Sequence, residues 1–229
     1  MIINVKNLYK NYHTGDILVP ALKDISFSVE KGEYLAIMGP SGSGKSTLMN
    51  ILGLLDRPTS GEYELAGQNT LLLNDKQLAH LRNKQLGFVF QRFHLLPGDT
   101  ALHNVMLPLT YAGIPAKQRK EMAAEALEKV GLSDRMDFKP HQLSGGQSQR
   151  VAIARAIVTG PDVLLADEPT GSLDSENGEQ IMELFQMLND EGVSIVMITH
   201  EKRIANHAGR LLYIHDGRIS QSERSVEDA

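Results

Sequence analysis

Gly39-Pro40-Ser41-Gly42-Ser43-Gly44-Lys45-Ser46-Thr47 decides the fold class. The stretch satisfies G-x-x-x-x-G-K-[ST] at every fixed position. It follows an apolar run, Tyr34 to Met38, that reads as a strand, and it opens a helical pattern from Gly44 to Leu55. Glycines let the backbone curl until successive N–H groups converge on one anion, and a helix N-terminus adds partial positive charge. A Gly/Ser-rich surface loop with a chance lysine is the plain alternative, but the strand before and the helix after are the context that phosphate binding requires. The expected chemistry is a cradle from Gly39 to Thr47 around ATP phosphates, with Lys45 on the β- and γ-phosphates and Ser46 on Mg²⁺.

On the N-terminal side of this loop, short β-type segments run over Ile2 to Leu8, Ile25 to Val29 and, past the loop, Tyr63 to Leu65. Turn signals at Lys31-Gly32-Glu33 and Thr59-Ser60-Gly61 separate them. From Ala101 to Val158 the pattern is helical, clearest over Lys117 to Val130. Two fully apolar runs, Val163 to Ala166 and Ser194 to Thr199, then flank a helix from Gly178 to Asn189, the signature of a buried parallel sheet. The predicted architecture is one α/β domain over residues 1–229. It has a mostly parallel phosphate-loop core, an N-terminal antiparallel β subdomain, an inserted helical subdomain over about residues 92–160, and a frayed polar tail from about Ser220 to Ala229.

The composition suits a folded domain with a sizeable core: 229 residues, 41% hydrophobic and 22% charged. A net charge of -5 speaks against a surface built to hold nucleic acid, and none is expected as a partner. There is no cysteine, which suits the cytosol. The longest apolar runs fall far short of the roughly 20 residues that span a bilayer, so a membrane role has to come through a partner.

Asp162-Val163-Leu164-Leu165-Ala166-Asp167-Glu168 is an apolar strand ending in two carboxylates. Successive strand residues point to opposite sides, so the two acids can do different work. Asp167 is placed to hold the Mg²⁺ shell, and Glu168 to take a proton from the attacking water. A helix cap beside a surface glutamate is the alternative, and the phosphate loop outweighs it.

Leu143-Ser144-Gly145-Gly146-Gln147, followed by Gln149-Arg150-Val151-Ala152-Ile153-Ala154-Arg155-Ala156, is a polar bend opening a helix, with N–H groups free to meet an anion. Taken alone, it also reads as a cap in which Ser144 bonds the first turn. This stretch resembles the signature of ABC-type ATPases, and the resemblance covers Met1 to about Ser220 with every motif in family order. It implies that Ser144, Gly145, Gly146 and Gln147 face the γ-phosphate held by a second copy, so that ATP glues a head-to-tail homodimer. Gln91, in Phe88-Val89-Phe90-Gln91, is similar to the Q-loop glutamine that touches Mg²⁺ and the reactive water. Gly171-Ser172-Leu173-Asp174 resembles the D-loop, placing Asp174 across the dimer interface. Thr199-His200-Glu201 resembles the switch segment, with His200 on the γ-phosphate, and Tyr12 stands where the family has an aromatic against adenine, with Tyr9 as its rival. Ser148 and Glu201 depart slightly from the usual pattern, and no expected catalytic residue is missing.

Ile37 to Thr47, Gly87 to Gln91, Leu95-Leu96-Pro97, Asn104 to Leu109 and Leu165 to Gly171 resemble a narrower group, the macrolide-exporter (MacB-type), lipoprotein-releasing (LolD-type) and bacitracin-resistance ATPases. That resemblance implies an ATPase on the cytoplasmic face, held there by a membrane permease and driving export of hydrophobic, peptide or lipoprotein-like cargo. Arg92-Phe93-His94-Leu95-Leu96-Pro97 is expected to form part of the permease-facing groove. The alternative is an ABC ATPase that passes a mechanical signal to a membrane partner without moving cargo. A nucleic-acid-handling ATPase would need coiled coils, zinc modules or a second nucleotide domain, and a small-molecule kinase would lack the signature loop.

Overall fold

The computed structural model describes residues 1–15 and 17–224. The chain opens with a long antiparallel hairpin, β1 (Ile3–Thr14) and β2 (Ile17–Val29), and continues into β3 (Tyr34–Met38) and the helix α1 (Lys45–Leu52). β4 (Ser60–Leu65) and the short β5 (Gln68–Asn69) complete a four-stranded antiparallel sheet in the order β2-β1-β4-β5. Then follow α2 (Asp75–Gln85), β6 (Leu86–Phe90), α3 (Ala101–Tyr111), α4 (Ala116–Lys129) and α5 (Gly145–Ile157). The last part alternates: β7 (Val163–Asp167), α6 (Ser175–Asp190), β8 (Ser194–Ile198), the short α7 (Lys202–Ala205), β9 (Arg210–His215) and β10 (Arg218–Arg224). The second sheet has the order β10-β9-β3-β8-β7-β6, parallel from β9 to β6.

The apolar runs are continuous because both faces of this second sheet are covered. Leu35, Ile37, Val163, Leu165, Val196 and Ile198 point to one face, where α1, Leu78 and Leu81 of α2, and the inner side of the antiparallel sheet meet them. Tyr34, Ala36, Leu164, Ala166, Ile195 and Met197 point to the other, against α3 to α6. The strict alternation of period two assigns each residue of a strand to one core or the other.

The α/β class is as the sequence predicted, while several boundaries differ for local reasons. α1 ends at Leu52 rather than Leu55, because Leu54 takes a left-handed φ of 55°, which a helix cannot continue through. α6 starts three residues before Gly178, because Asp174 caps it by accepting from the Asn177 N–H at 2.9 Å. β2 begins far upstream of Ile25 through its pairing with β1. The polar stretch from Ser220 to Arg224, expected to fray, belongs to β10 and pairs with β9; residues 225–229 lie outside the described residues.

The turn before α3 depends on one fully buried side chain. Asn104 accepts from the Leu96 N–H at 2.7 Å and donates to the carbonyls of Leu96 and Thr100. Its loss would leave the partly buried Leu96 N–H without its partner, while the carbonyls of Leu96 and Thr100 keep bonds from the Asp99 and Asn104 backbone N–H groups. Asn104→Ala is expected to lower stability by about 2–3 kcal/mol, measured as a shift of the urea midpoint at unchanged slope. An unshifted midpoint would show that water replaces the side chain at no cost.

Candidate active site

Parallel strands β3, β8, β7 and β6 lie side by side, and each releases a loop at the same sheet edge, beginning with Gly39, Thr199, Glu168 and Gln91 respectively. In open α/β sheets this carboxyl edge is where ligands bind.

The loop after β3 is tightly walled. A Cβ on Gly39 would lie 2.1 Å from the Ile214 carbonyl oxygen, and one on Gly44 would lie 2.7 Å from that of Ala21. Gly42 and Gly44 also have φ of 79° and 104°, which side chains rarely adopt. The Gly217 N–H donates to the Ser43 carbonyl at 3.0 Å and ties the loop to the β9–β10 turn. Lys45 Nζ donates to the carbonyls of Gly39 and Pro40 at 2.8 Å each, so the ammonium sits over the loop. Pro40, Ser41, Gly42 and Ser46 are exposed, while Ser43 Oγ is buried without a hydrogen-bond partner. An unsatisfied buried hydroxyl under a curled, cation-topped loop fits a triphosphate.

The loop after β7 carries both acids. Asp167, the last residue of β7, pairs in register with Ile198, and the Glu168 N–H donates to the Ile198 carbonyl at 2.9 Å. Glu168 takes a left-handed φ of 48°, which turns it away from the strand. Its Oε1 lies 2.8 Å from His200 Nδ1, joining the ends of β7 and β8. Because an ionised carboxylate only accepts, Nδ1 of His200 carries the proton of this bond. Nε2 can then donate to a phosphate oxygen only if the ring is doubly protonated. Burial raises the Asp167 carboxyl above its ordinary value, the nearby Glu168 adds to the rise, and Lys45 opposes it. A half-buried acid beside Glu168, with Ser46 in the adjoining loop, is a donor set suited to a hard cation such as Mg²⁺.

Gln91, at the end of β6, packs its side-chain amide against Gly171, while its carbonyl accepts from Ser172 Oγ at 2.9 Å. Tyr12 sits beside the first turn of α1. Its hydroxyl donates to Asp56 Oδ2 at 3.0 Å, and Lys10 Nζ lies 4.8 Å from its ring centroid and 2.7 Å from Asp56 Oδ1. Burial and the Asp56 bond raise the Tyr12 phenol, and the Thr47 hydroxyl pulls the other way. Thus Tyr12, and not Tyr9, which is paired opposite Ser60, is the aromatic held against the phosphate-loop helix.

Ser144, Gln147 and Asp174 are engaged locally. Ser144 Oγ accepts from the Gln147 N–H at 3.2 Å, and Gln147 Oε1 accepts from the Ser144 N–H at 3.0 Å, a reciprocal capping box on α5. The cap and the anion-facing reading are compatible, since a serine hydroxyl that accepts one bond still has its own proton to donate. Gly145 and Gly146 let α5 approach Leu173 and Asn177, with a Cβ on Gly146 falling 2.3 Å from Asn177 Oδ1. Among the described residues, no hydrogen bond of Ser144, Gln147 or Asp174 reaches the phosphate loop of the same chain.

Two residues within the quoted signature helix have roles that spacing did not reveal. Gln149, fully buried, donates from Nε2 to the carbonyl of Pro169 at 2.6 Å and to that of Phe90 at 3.3 Å. Arg155 donates to the carbonyls of Phe93 at 2.8 Å and His94 at 2.7 Å, and burial lowers its pKa. Their polar identity within an Ala- and Ile-rich stretch was the available signal. Arg155 also borders a groove of about 770 Å³ between α2, β6 and α3. The segment Arg92 to Pro97, expected to line a permease-facing groove, is absent from this one; Phe93 points to Gly145, and His94 packs edge-on to Phe90.

A carboxyl with a raised folded pKa contributes stability below its unfolded value near 3.8 and loses it as pH rises through the folded value. Asp167→Asn should therefore raise the thermal midpoint at neutral pH in the presence of a chelator, with the gain vanishing below the carboxylate range. An equal midpoint at neutral pH would mean that Lys45 already compensates the buried charge.

The comparisons agree with this geometry. The family model described as "ABC transporter" matches residues 22–171. The chain is 55% identical over 223 residues to the uncharacterized ABC transporter ATP-binding protein YvrO of Bacillus subtilis, with 97% of each chain covered. It is 51% identical to the macrolide export ATP-binding/permease protein MacB of Aggregatibacter actinomycetemcomitans, matching over its whole length but over only 36% of that protein. The dimeric post-hydrolysis structure of the ATP-binding cassette MJ0796 bound to ADP and Pi superimposes with a TM-score of 0.90 at 42% identity, covering 99% of this chain and all of that one. The chain belongs to the ABC transporter family, as an ATP-binding and ATP-hydrolysing cassette.

Proposed function

We propose that two copies of this cassette close around two ATP molecules and drive a membrane permease that exports hydrophobic, peptide or lipoprotein-like cargo. The observation that carries the catalytic part is the bond between Glu168 and His200 at the edge that also holds the phosphate loop. Similarity to a protein named as both macrolide-export ATPase and permease supports the exporter branch, and a neighbour described as a dimer with ADP and Pi supports the paired state.

In this reading the loop from Gly39 to Thr47 binds the triphosphate, and Lys45 exchanges its carbonyl partners for the β- and γ-phosphate oxygens. Tyr12, braced by Lys10 and Asp56, offers its ring to adenine. Mg²⁺, held by Ser46, Gln91 and Asp167, would offset charge on the phosphate oxygens. Glu168 accepts a proton from water as the water oxygen attacks the γ-phosphorus and the bond to the ADP oxygen breaks. His200 orients Glu168 through Nδ1. Ser144, Gly145, Gly146 and Gln147 of the opposite copy close on the γ-phosphate, and Asp174 lines the same interface. The permease rests in the groove beside Arg155, where a helical subdomain of about residues 92–160 meets α2 and β6, and this keeps the cassette at the cytoplasmic membrane face. Among the described residues no helix is long and apolar enough to cross a membrane, so in this reading the cargo path belongs to the partner.

The test is Glu168→Gln, weighed in solution with and without ATP and Mg²⁺. Turnover should fall by about a hundredfold or more, and the mass should double only with ATP. A variant that binds ATP yet stays monomeric would remove the trans role of Ser144 to Gln147, and one that still hydrolyses at the parent rate would remove Glu168 as the base.

A further inference from the structure

Two turns of this chain share one geometry and differ in what surrounds them. Asp216-Gly217 joins β9 to β10 and Ala66-Gly67 joins β4 to β5, each closed by a strand pair: His215 opposite Arg218, and Leu65 opposite Gln68. Their φ values are 48° and 77° in the first turn and 49° and 75° in the second, left-handed throughout, as a two-residue hairpin favours. Gly67 is exposed, and a Cβ added to it would meet nothing within 4 Å. Gly217 is buried, and a Cβ added to it would lie 2.6 Å from the Ala21 carbonyl oxygen and 3.3 Å from Leu22 Cα, backbone atoms that cannot swing aside. Turn geometry alone accounts for the glycine at 67; at 217 a close approach is added. The Gly217 N–H donates to the Ser43 carbonyl in the loop after β3 at 3.0 Å, and the Gly217 carbonyl accepts from the Lys23 N–H of β2 at 2.7 Å. The Ala21 oxygen crowds Gly44 as well as Gly217, and the Ile214 carbonyl near the end of β9 crowds Gly39. In β2, Val19 pairs opposite Tyr12, so the strand held by Gly217 also supports the ring that flanks α1.

We infer that Gly217 is a positioning residue for nucleotide binding: its turn clamps the loop from Gly39 to Thr47 against β2 and holds that loop in its binding shape before ATP arrives. This rests on the reading of Gly39 to Thr47 as the phosphate loop. A turn that cannot close leaves the competent loop in only a fraction of molecules, and apparent affinity falls by that fraction. Glu168 and His200 follow β7 and β8, neither of which pairs with β9 or β10. Once nucleotide is bound, the hydrolytic step therefore proceeds at its usual rate, and the clamp acts on affinity alone.

The experiment compares Gly217→Asn with Gly67→Asn in the full chain. Asparagine tolerates left-handed backbone better than other side chains, so the two variants carry the same small φ cost and differ in crowding. Calorimetric titration with ADP and Mg²⁺ reads binding without hydrolysis. Gly217→Asn should bind ADP about tenfold or more weakly than Gly67→Asn. Its KM for ATP should rise by a similar factor, with kcat within about twofold of the parent. Equal ADP affinity in the two variants, or a fall in kcat at unchanged KM, would overturn the clamp. Lys45→Ala separates the clamp from the reading beneath it. Parent-like ADP binding by Lys45→Ala would remove the phosphate loop and the clamp together; lost binding there, with the two turn variants alike, would remove the clamp alone. Should Gly217→Asn fail to fold, amide exchange in the unaltered chain decides. ADP should slow exchange at the Gly217 N–H about tenfold or more beyond its effect on the Ala66 N–H, which is bonded to the Ile2 carbonyl at 2.8 Å. Equal slowing at the two amides would overturn the clamp.

Discussion

Parallel hydrogen bonding among β3, β8, β7 and β6 is the constraint on which the site depends. Ile37 is paired with Ile198, Asp167 with Ile198, and Phe90 with Asp167, so four strand ends are level to within a residue. Residues more than 150 positions apart in sequence are thereby delivered to one edge without any of them having to search for the others. The register is secured by burial on both faces, because a slip of one residue would exchange the two cores side chain for side chain. The Glu168–His200 bond follows from this register and from the left-handed turn that redirects Glu168.

α5 is the second organising element. Its N-terminus carries the capped signature loop. Its interior Gln149 holds the backbone on both sides of it, at Phe90 and Pro169, and its last turn places Arg155 on the segment after Gln91. One rigid helix therefore touches the loops after β6 and β7 as well as the groove between α2, β6 and α3. A displacement of α5 cannot occur without disturbing the backbone around Gln91. Small residues keep these contacts close: Gly145 against Leu173, Gly146 against Asn177 and Gly171 against Gln91.

Electrostatics divides the molecule into surfaces of different use. At the sheet edge, the half-buried Asp167 lies near both Lys45 and Glu168, and desolvation holds its carboxyl above the ordinary value. At the hairpin, Lys10 and Asp56 brace Tyr12; burial pushes the Asp56 carboxyl up, and hydrogen bonds from Lys10 and Tyr12 bring it below its usual range. Lys76, His80, Arg82 and Arg155 line the groove between α2, β6 and α3 without an acid among them. The overall charge of -5 conceals all three arrangements.

Much of the fold was legible because its strands are short, apolar and bounded by turn chemistry, and because the phosphate loop announces both the strand before it and the helix after it. α2 escaped because it buries only Leu78 and Leu81 in an otherwise polar stretch, and β9 and β10 because their strand character comes from pairing in the sheet. The sequence by itself determined the class of chemistry: which loop cradles phosphate, which acids end a buried strand, and which family uses that combination. Only the tertiary structure decided which groups meet. It paired His200 with Glu168, set Tyr12 and not Tyr9 beside α1, and gathered four basic residues into one apolar groove. The physical reason is that motif spacing along a chain is set by local backbone geometry, whereas contacts between strand ends and helix faces depend on sheet order and packing, which no short stretch of sequence contains.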